Sequence, residues 1–116
     1  MSYFASNEMN KNGGAIVNLA SINGLVGYNQ GIDSNLKGIN PYPHSKGGVI
    51  QLTKDMAVGF AKKNIRVNAL CPGYSKTNLT KMLWEDKKVE NYITSLHPIG
   101  ILADPKEIAF AALFLA

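Results

Sequence analysis

The sequence is poor in metal-binding and cross-linking residues. It contains one cysteine, Cys71, among 116 residues. One thiol can form neither a disulfide nor a cysteine-based metal site within a single chain, so a disulfide scaffold and a zinc ribbon are excluded. No group of His, Asp, Glu and Cys has ligand spacing, and we therefore predict that the chain holds no metal.

Long apolar runs are also missing. No stretch approaches the ~20 residues that a membrane-spanning helix needs. No positively charged segment followed by an apolar one opens the sequence, as it would in a secretory leader. We therefore expect a cytoplasmic protein with no membrane partner, and the single thiol fits a reducing compartment.

Basic residues do not cluster, although the formal net charge is +4. A positive net charge can mark a nucleic-acid-binding protein. Here the lysines are scattered along the chain, and no basic stripe interleaved with aromatic residues is present. We interpret the charge as a solvated surface and expect no nucleic-acid partner.

The residues that are present predict one α/β domain or part of one. Apolar residues make up 46% and charged residues 17%, which suits a globular chain. Short apolar segments predict buried strands from Ala15 to Ala20 and from Ile65 to Cys71. Between them, apolar residues recur at helical spacing from Tyr42 to about Lys63. Strand, helix and strand in this order predict a βαβ unit with a parallel sheet.

The predicted sheet is incomplete. Both strands are apolar at nearly every position, which is typical of strands covered on both faces in the middle of a parallel sheet. Two strands make a poor core with open edges. A last helix is predicted from Asp104 as cap, Pro105 in the first turn and Glu107 at capping-box spacing. The sequence therefore predicts part of a larger fold.

A tyrosine and a lysine stand one turn apart where the long helix begins, in "NPYPHSKGGVIQLTKDMA". Residues i and i+4 share a helix face, and a nearby ammonium favours the phenolate form of a phenol. Tyr42 and Lys46 could therefore form an acid/base pair. With five tyrosines and eleven lysines, a chance surface pair is the alternative. Ser21 ends the first strand, where ligands gather in parallel sheets, or it simply terminates that strand.

Four segments in this order resemble the short-chain dehydrogenase/reductase family from about Gly13 to Ala116. They are "GGAIVNLAS", "YPHSKGGVIQLTK", "IRVNALCPGYSKT" and "HPIGILADPKEIAFAALFLA". The resemblance implies a partial doubly wound, Rossmann-like parallel sheet with flanking helices. It implies that residues 1–116 are the C-terminal catalytic portion of the domain, and that the full-length protein forms a homo-oligomer. It also implies hydride transfer between NAD or NADP and a small secondary alcohol or ketone.

The resemblance assigns roles to individual residues. It implies that Ser21, Tyr42 and Lys46 are catalytic, and that Lys46 also holds the nicotinamide ribose. It implies cofactor contacts through a hydroxyl at Thr77 and through the backbone at Ser75. It implies a structural role for His97. The full set of expected cofactor contacts is Tyr42, Lys46, Pro72, Gly73, Ser75 and Thr77.

Two expectations come from departures from the family pattern. The glycine-rich turn that seats the pyrophosphate, the residue that selects NAD or NADP, and the family's catalytic asparagine are not found in the sequence. The chain is therefore expected to be a truncated oxidoreductase that is inactive alone, or a non-catalytic remnant or interaction domain that no longer binds cofactor. Twenty residues separate Ser21 from Tyr42, more than is usual in the family. We expect the segment from Gly27 to Asn40 to be a mobile loop beside the substrate entrance.

Overall fold

The structure, a computed structural model, describes residues 2–9, 12–27 and 40–116. Most of the loop expected from Gly27 to Asn40 lies outside the described residues. The elements in chain order are α1 (Ser2–Met9), β1 (Gly14–Leu19), α2 (Pro41–Phe60), β2 (Ile65–Leu70), α3 (Met82–Glu85), α4 (Lys87–Ser95) and α5 (Pro105–Leu115). Single 3-10 turns occupy Ile22–Gly24 and Ala61–Lys63.

The two strands pair in parallel, which confirms the predicted βαβ unit. Gly14 pairs with Ile65, and the register continues to Leu19 opposite Leu70. The long helix α2 packs against this pair through a small core. Its centre is the buried cluster of Met56, Ile65 and Val67, with Met9, Ile16, Ala57 and Phe60 packed around it.

The helix boundaries are set by local capping. The Asn40 side chain accepts the Tyr42 backbone N–H at 2.9 Å, and Pro41 follows in the first turn of α2. The first N–H groups of a helix have no helical partner. A side-chain acceptor at Asn40 and a proline at Pro41 are therefore both favourable there. The capping box predicted at the start of α5 is also confirmed, with Asp104 and Glu107 each bonding the other's backbone N–H.

A buried polar contact joins β1 to α2. The Asn18 amide donates to the Thr53 hydroxyl at 2.9 Å, and that hydroxyl donates to the Val49 carbonyl oxygen at 2.7 Å. Thr53 is buried. Buried polar groups are costly without partners, so this chain of hydrogen bonds favours one position of α2 along the strand.

The 3-10 turn after β1 lies against the first turns of α2. A Cβ built on Gly24 would stand 2.7 Å from the Lys46 backbone carbonyl carbon. No side chain fits at that distance, so the close approach requires glycine at this position. The approach brings the beginning of α2 to the carboxyl end of β1.

The strands are less covered than their composition predicts. No residue of β1 is fully buried, and Leu19 at its end is 58% exposed. Helix α5 exposes large apolar side chains at Phe110, Leu113 and Phe114. Within residues 2–9, 12–27 and 40–116, β1 and β2 pair only with each other. The described residues therefore leave both sheet edges open, as the two predicted strands indicated. No helix among them combines the length and apolarity that a membrane crossing requires.

Candidate active site

A cavity of about 630 Å3 opens where the two parallel strands end. Two backbone hydrogen bonds continue the pairing past the strands: the Ala20 N–H donates to the Leu70 carbonyl at 2.8 Å, and the Ile22 N–H to the Pro72 carbonyl at 2.9 Å. The carboxyl ends of parallel strands are where open α/β sheets bind ligands. The cavity lining includes every predicted site residue, namely Ser21, Tyr42, Lys46, Pro72, Gly73, Ser75 and Thr77.

Tyr42 and Lys46 face this cavity from the first turns of α2. The Lys46 ammonium nitrogen lies 5.8 Å from the centroid of the Tyr42 ring. It also donates to the carbonyl oxygen of Leu19 at 3.0 Å, which ties it to the end of β1. The Tyr42 side chain is about half exposed, at 46%. The two residues thus lie beside the strand ends and are not an isolated pair on a helix surface.

Ser21 is buried at the base of the cavity, with 7% of its surface exposed. Its hydroxyl oxygen accepts the Asn23 backbone N–H at 3.2 Å and so caps the 3-10 turn. Accepting this bond uses a lone pair, and the hydroxyl hydrogen stays available for donation. Strand β1 ends at Leu19, one residue before the expected end at Ala20, and Ser21 caps the turn that follows.

The second side of the cavity is the segment from Gly73 to Thr77, which we call the wall segment. Its backbone pairs with Ala103: the Ala103 N–H donates to the Tyr74 carbonyl at 3.1 Å, and the Lys76 N–H to the Ala103 carbonyl at 3.0 Å. At its end the Thr77 N–H donates to the Thr80 hydroxyl at 3.0 Å. Sequence reasoning missed Thr80, because a threonine in a polar loop carries no distinctive pattern.

Two contacts attach the wall segment to α4. The ring nitrogen Nε2 of His97, just beyond α4, accepts the Tyr74 backbone N–H at 3.1 Å. The Lys76 ammonium lies 2.7 Å from the carboxylate of Glu90 on α4. His97 is thus held by hydrogen bonds, as the structural role expected of it requires.

The carboxylate of Glu90, beside the wall segment, has a clearly lowered pKa. Its carboxylate bonds Lys76 and also Lys87, the latter at 2.6 Å, and its side chain is 12% exposed. The hydrogen bonds from Lys76 and then Lys87 lower the pKa of Glu90 from its ordinary 4.5 to about 2. The carboxylate is therefore charged at any pH near neutrality and holds the wall segment through Lys76.

The donor set suits the nicotinamide end of a dinucleotide. A phenol, an ammonium and two hydroxyls, from Tyr42, Lys46, Ser21 and Thr77, surround one cavity. Nicotinamide and ribose offer carboxamide and hydroxyl groups, for which these are matching partners. No strand in the described part of the chain leads through a glycine-rich turn into a helix, so those residues hold no pyrophosphate seat of that kind. They also contain no group of three or more potential metal ligands.

Comparison with known proteins identifies the family. All 116 residues match a family model described as enoyl-(acyl carrier protein) reductase. Dehydrogenase/reductase SDR family member 4 of Oryctolagus cuniculus is 41% identical over 109 residues, which are 93% of this chain and 39% of that protein. The chain belongs to the short-chain dehydrogenase/reductase family. Cyclohexanol dehydrogenase of Acinetobacter sp. (strain SE19) is 44% identical over 103 residues, 89% of this chain and 36% of that protein.

Solved structures of short-chain dehydrogenases/reductases share the fold. A putative gluconate dehydrogenase from Agrobacterium tumefaciens superposes with a TM-score of 0.86 at 28% identity over 99% of this chain and 43% of that one. ElxO with NADP bound gives 0.81 at 37% identity over 98% and 44%. A 4-hydroxyisoleucine dehydrogenase complexed with NADH gives 0.80 at 32% identity over 98% and 46%. The fold is therefore a partial Rossmann-like sheet, and the chain spans less than half the length of these relatives.

Proposed function

We propose that residues 1–116 are the carboxyl-terminal catalytic portion of an NAD- or NADP-dependent oxidoreductase that interconverts a secondary alcohol and a ketone. The observation that carries this proposal is the convergence of Ser21, Tyr42 and Lys46 on one cavity at the strand ends. Solved relatives that bind NADP or NADH support the choice of cofactor.

Tyr42 is the proton-transfer group in this proposal. When bound, a nicotinamide cofactor supplies the hydride for ketone reduction and accepts it in alcohol oxidation. In reduction the Tyr42 phenol gives its proton to the substrate oxygen, and in oxidation the phenolate removes the proton from the alcohol. The ammonium of Lys46 lies 5.8 Å from the ring centroid, and its positive charge stabilises the negative charge that develops on the reacting oxygens during proton transfer.

Ser21 stabilises charge on the substrate oxygen. Its hydroxyl hydrogen is available because the Asn23 N–H engages a lone pair of the oxygen. Burial keeps this hydroxyl in one position and away from bulk water, and both strengthen a hydrogen bond to a developing alkoxide. Ser21 and Tyr42 then act on the same substrate oxygen, one by orienting it and the other by exchanging its proton.

The described lining favours an apolar substrate. Its aliphatic side chains include Ile22, Leu79, Leu83 and Ile108, and Lys46 is the one charged side chain among the described lining residues. A sugar acid would need partners for a carboxylate and several hydroxyls, and it pays a desolvation cost wherever they are missing. We propose an uncharged secondary alcohol with an apolar body, for which cyclohexanol, the substrate named for the relative at 44% identity, is the first choice.

The test uses a protein in which the full 116-residue chain follows the part of cyclohexanol dehydrogenase that precedes its matched segment. We refer to it as the completed protein. The proposal predicts cyclohexanol-dependent reduction of NAD or NADP, followed by nicotinamide absorbance. The preceding part of cyclohexanol dehydrogenase without this chain is the control, and it should show no turnover.

The alternative is a non-catalytic remnant or interaction domain. It draws support from the missing strand–glycine turn–helix seat within the described residues. Failure of the completed protein to bind NADH or NADPH, together with no turnover of cyclohexanol, cyclohexanone or other secondary alcohols, would favour this alternative over the oxidoreductase.

A further inference from the structure

The imidazole of His97 has a defined hydrogen-bonding state. Its Nδ1 lies 2.9 Å from the carbonyl oxygen of Ile93, and its Nε2 lies 3.1 Å from the backbone nitrogen of Tyr74. A carbonyl oxygen only accepts hydrogen bonds, so Nδ1 carries the proton. The amide nitrogen of Tyr74 only donates, so Nε2 offers its lone pair. Both contacts are satisfied together by the neutral ring in a single tautomer.

The same ring packs directly on the wall segment. A Cβ built on Gly73 would lie 2.8 Å from Nε2 of His97, so the ring occupies the space that a side chain at this position would need. The ring also meets the Tyr74 ring edge to face, with centroids 5.7 Å apart and planes at 72°. His97 therefore holds two consecutive residues of the wall segment, and both line the cavity.

The support beneath His97 is firmly packed. Ile93, whose carbonyl oxygen accepts the hydrogen bond from Nδ1, is fully buried with 0% exposure. The backbone N–H of His97 donates to the Thr94 carbonyl at 3.0 Å and continues the last turn of α4. The His97 ring is thus anchored to a helix, whereas the wall segment that the ring holds has no regular secondary structure of its own.

We propose that His97 is a positioning residue for cofactor binding. Its neutral imidazole fixes the wall segment in the conformation that receives the nicotinamide end of the cofactor, and we call this contact the His97 latch. His97 is not among the residues that line the cavity, so it acts through Gly73 and Tyr74. The inference rests on the proposed function, because that function makes the wall segment a cofactor contact.

Two substitutions separate the acceptor from the ring. In His97→Gln, the side-chain amide reaches the position of Nε2 and can offer an oxygen to the Tyr74 N–H. In His97→Asn, the amide reaches only the position of Nδ1, so the acceptor that His97 offered to the Tyr74 N–H is removed. Both variants lose the aromatic ring, so a difference between them reports the acceptor and not the packing.

The functional readout is direct cofactor binding by the completed protein. Titration with NADH and NADPH, followed by nicotinamide fluorescence, should give a Kd about tenfold higher for His97→Asn, because a partly buried donor loses its acceptor. His97→Gln should stay within about threefold of the unsubstituted protein, since the acceptor is restored. The kcat at saturating cofactor should change less than the Kd. Equal Kd values for the two variants, at similar thermal midpoints, would overturn the positioning role.

A second measurement tests the latch without any cofactor. In the 15N-labelled completed protein without cofactor, the Tyr74 amide nitrogen and Nε2 of His97 should show coupling across their hydrogen bond. Absence of that coupling in a folded sample would overturn the latch geometry. Failure of the unsubstituted completed protein to bind either cofactor would instead overturn the proposed function and the positioning role with it. A detected coupling would then leave the His97 latch as a purely structural contact.

Discussion

The ammonium nitrogen of Lys46 lies 3.0 Å from the carbonyl oxygen of Leu19, the last residue of β1. This hydrogen bond joins the helix that carries Tyr42 to the strand that leads to Ser21. An ammonium has three hydrogens, so one bond to Leu19 orients the group and leaves donors for the cavity. Lys46 therefore serves both as a support between elements and as a charge beside Tyr42.

Replacing Lys46 should damage both functions of the site. We predict that Lys46→Met in the completed protein lowers kcat about a hundredfold or more, since the positive charge that stabilises the proton-transfer step beside Tyr42 is lost. Cofactor affinity should fall as well. Lys54→Met is the matched control, because Lys54 is an exposed lysine on the same helix outside the cavity lining. Steady-state kinetics with varied cofactor and cyclohexanol measure both effects, and equal losses in the two variants would contradict the assignment.

Removing one hydroxyl tests the proton-transfer role. Tyr42→Phe should lower kcat by roughly two to four orders of magnitude, the usual contribution of a general acid or base. The fold should persist because the ring stays and is about half exposed. Tyr92→Phe on α4 makes the same chemical change outside the cavity lining and should leave kcat unchanged. Retention of most turnover by Tyr42→Phe would contradict the proposed chemistry.

Ser21→Ala removes a hydrogen bond to the substrate oxygen and leaves the proton donor in place. Its loss of kcat should be about a hundredfold, at the mild end of the range for one donor to a developing oxyanion. The substitution also removes the cap of the 3-10 turn, so circular dichroism should accompany the kinetics. If folded Ser21→Ala lost more kcat than Tyr42→Phe, the assignment of proton transfer to Tyr42 and of oxygen stabilisation to Ser21 would be contradicted.

Local patterns predicted the parts of the fold that local forces decide. The capping box at Asp104 and Glu107 could be predicted from the sequence because its partners are three residues apart. The meeting of Ser21 with Pro72 and Gly73 at one sheet edge could be predicted because parallel strands end on the same side of a sheet.

Contacts that depend on tertiary packing could not be predicted from the sequence. The Asn18 amide meets the Thr53 hydroxyl across 35 positions. The Tyr74 N–H meets His97 across 23 positions. An asparagine in an apolar strand or a histidine before a proline gives no sign of its partner, because packing of α2 and α4 decides where that partner lies.

The depressed pKa of Glu90 predicts a defined pH dependence of stability. Folding lowers this pKa from 4.5 to about 2, so the charged carboxylate stabilises the folded state above pH 4.5 and loses that effect as the pH falls towards 2. Urea unfolding should therefore show a stability difference between the completed protein and Glu90→Gln that is constant near neutrality and shrinks between pH 4.5 and 2. Glu85→Gln is the control, because its bond to Lys81 is exposed and should contribute little. A difference that does not depend on pH in this range would contradict the prediction.

Leu83 tests the apolar character of the cavity. Leu83→Ala in the completed protein should raise the KM for cyclohexanol about tenfold, since lost aliphatic contacts weaken binding of an apolar substrate. Leu113→Ala on α5 is the control, because Leu113 is 72% exposed and lies outside the cavity lining. Kinetics with cyclohexanol and with gluconate should show turnover of the former. Preferred turnover of gluconate would contradict the proposed substrate class.

The 116-residue chain by itself should bind nicotinamide cofactors very weakly and show no dehydrogenase activity. A glycine-rich turn at a helix N-terminus normally seats the pyrophosphate of a dinucleotide, and the described residues contain no such turn. Leu19 and Phe114 expose apolar surface beside two strands with open edges, so the chain should self-associate. Fluorescence titration with NADH and NADPH, together with sedimentation analysis, measures both properties. Micromolar binding by a monodisperse monomer would mean that the described half-sheet is sufficient to bind the cofactor.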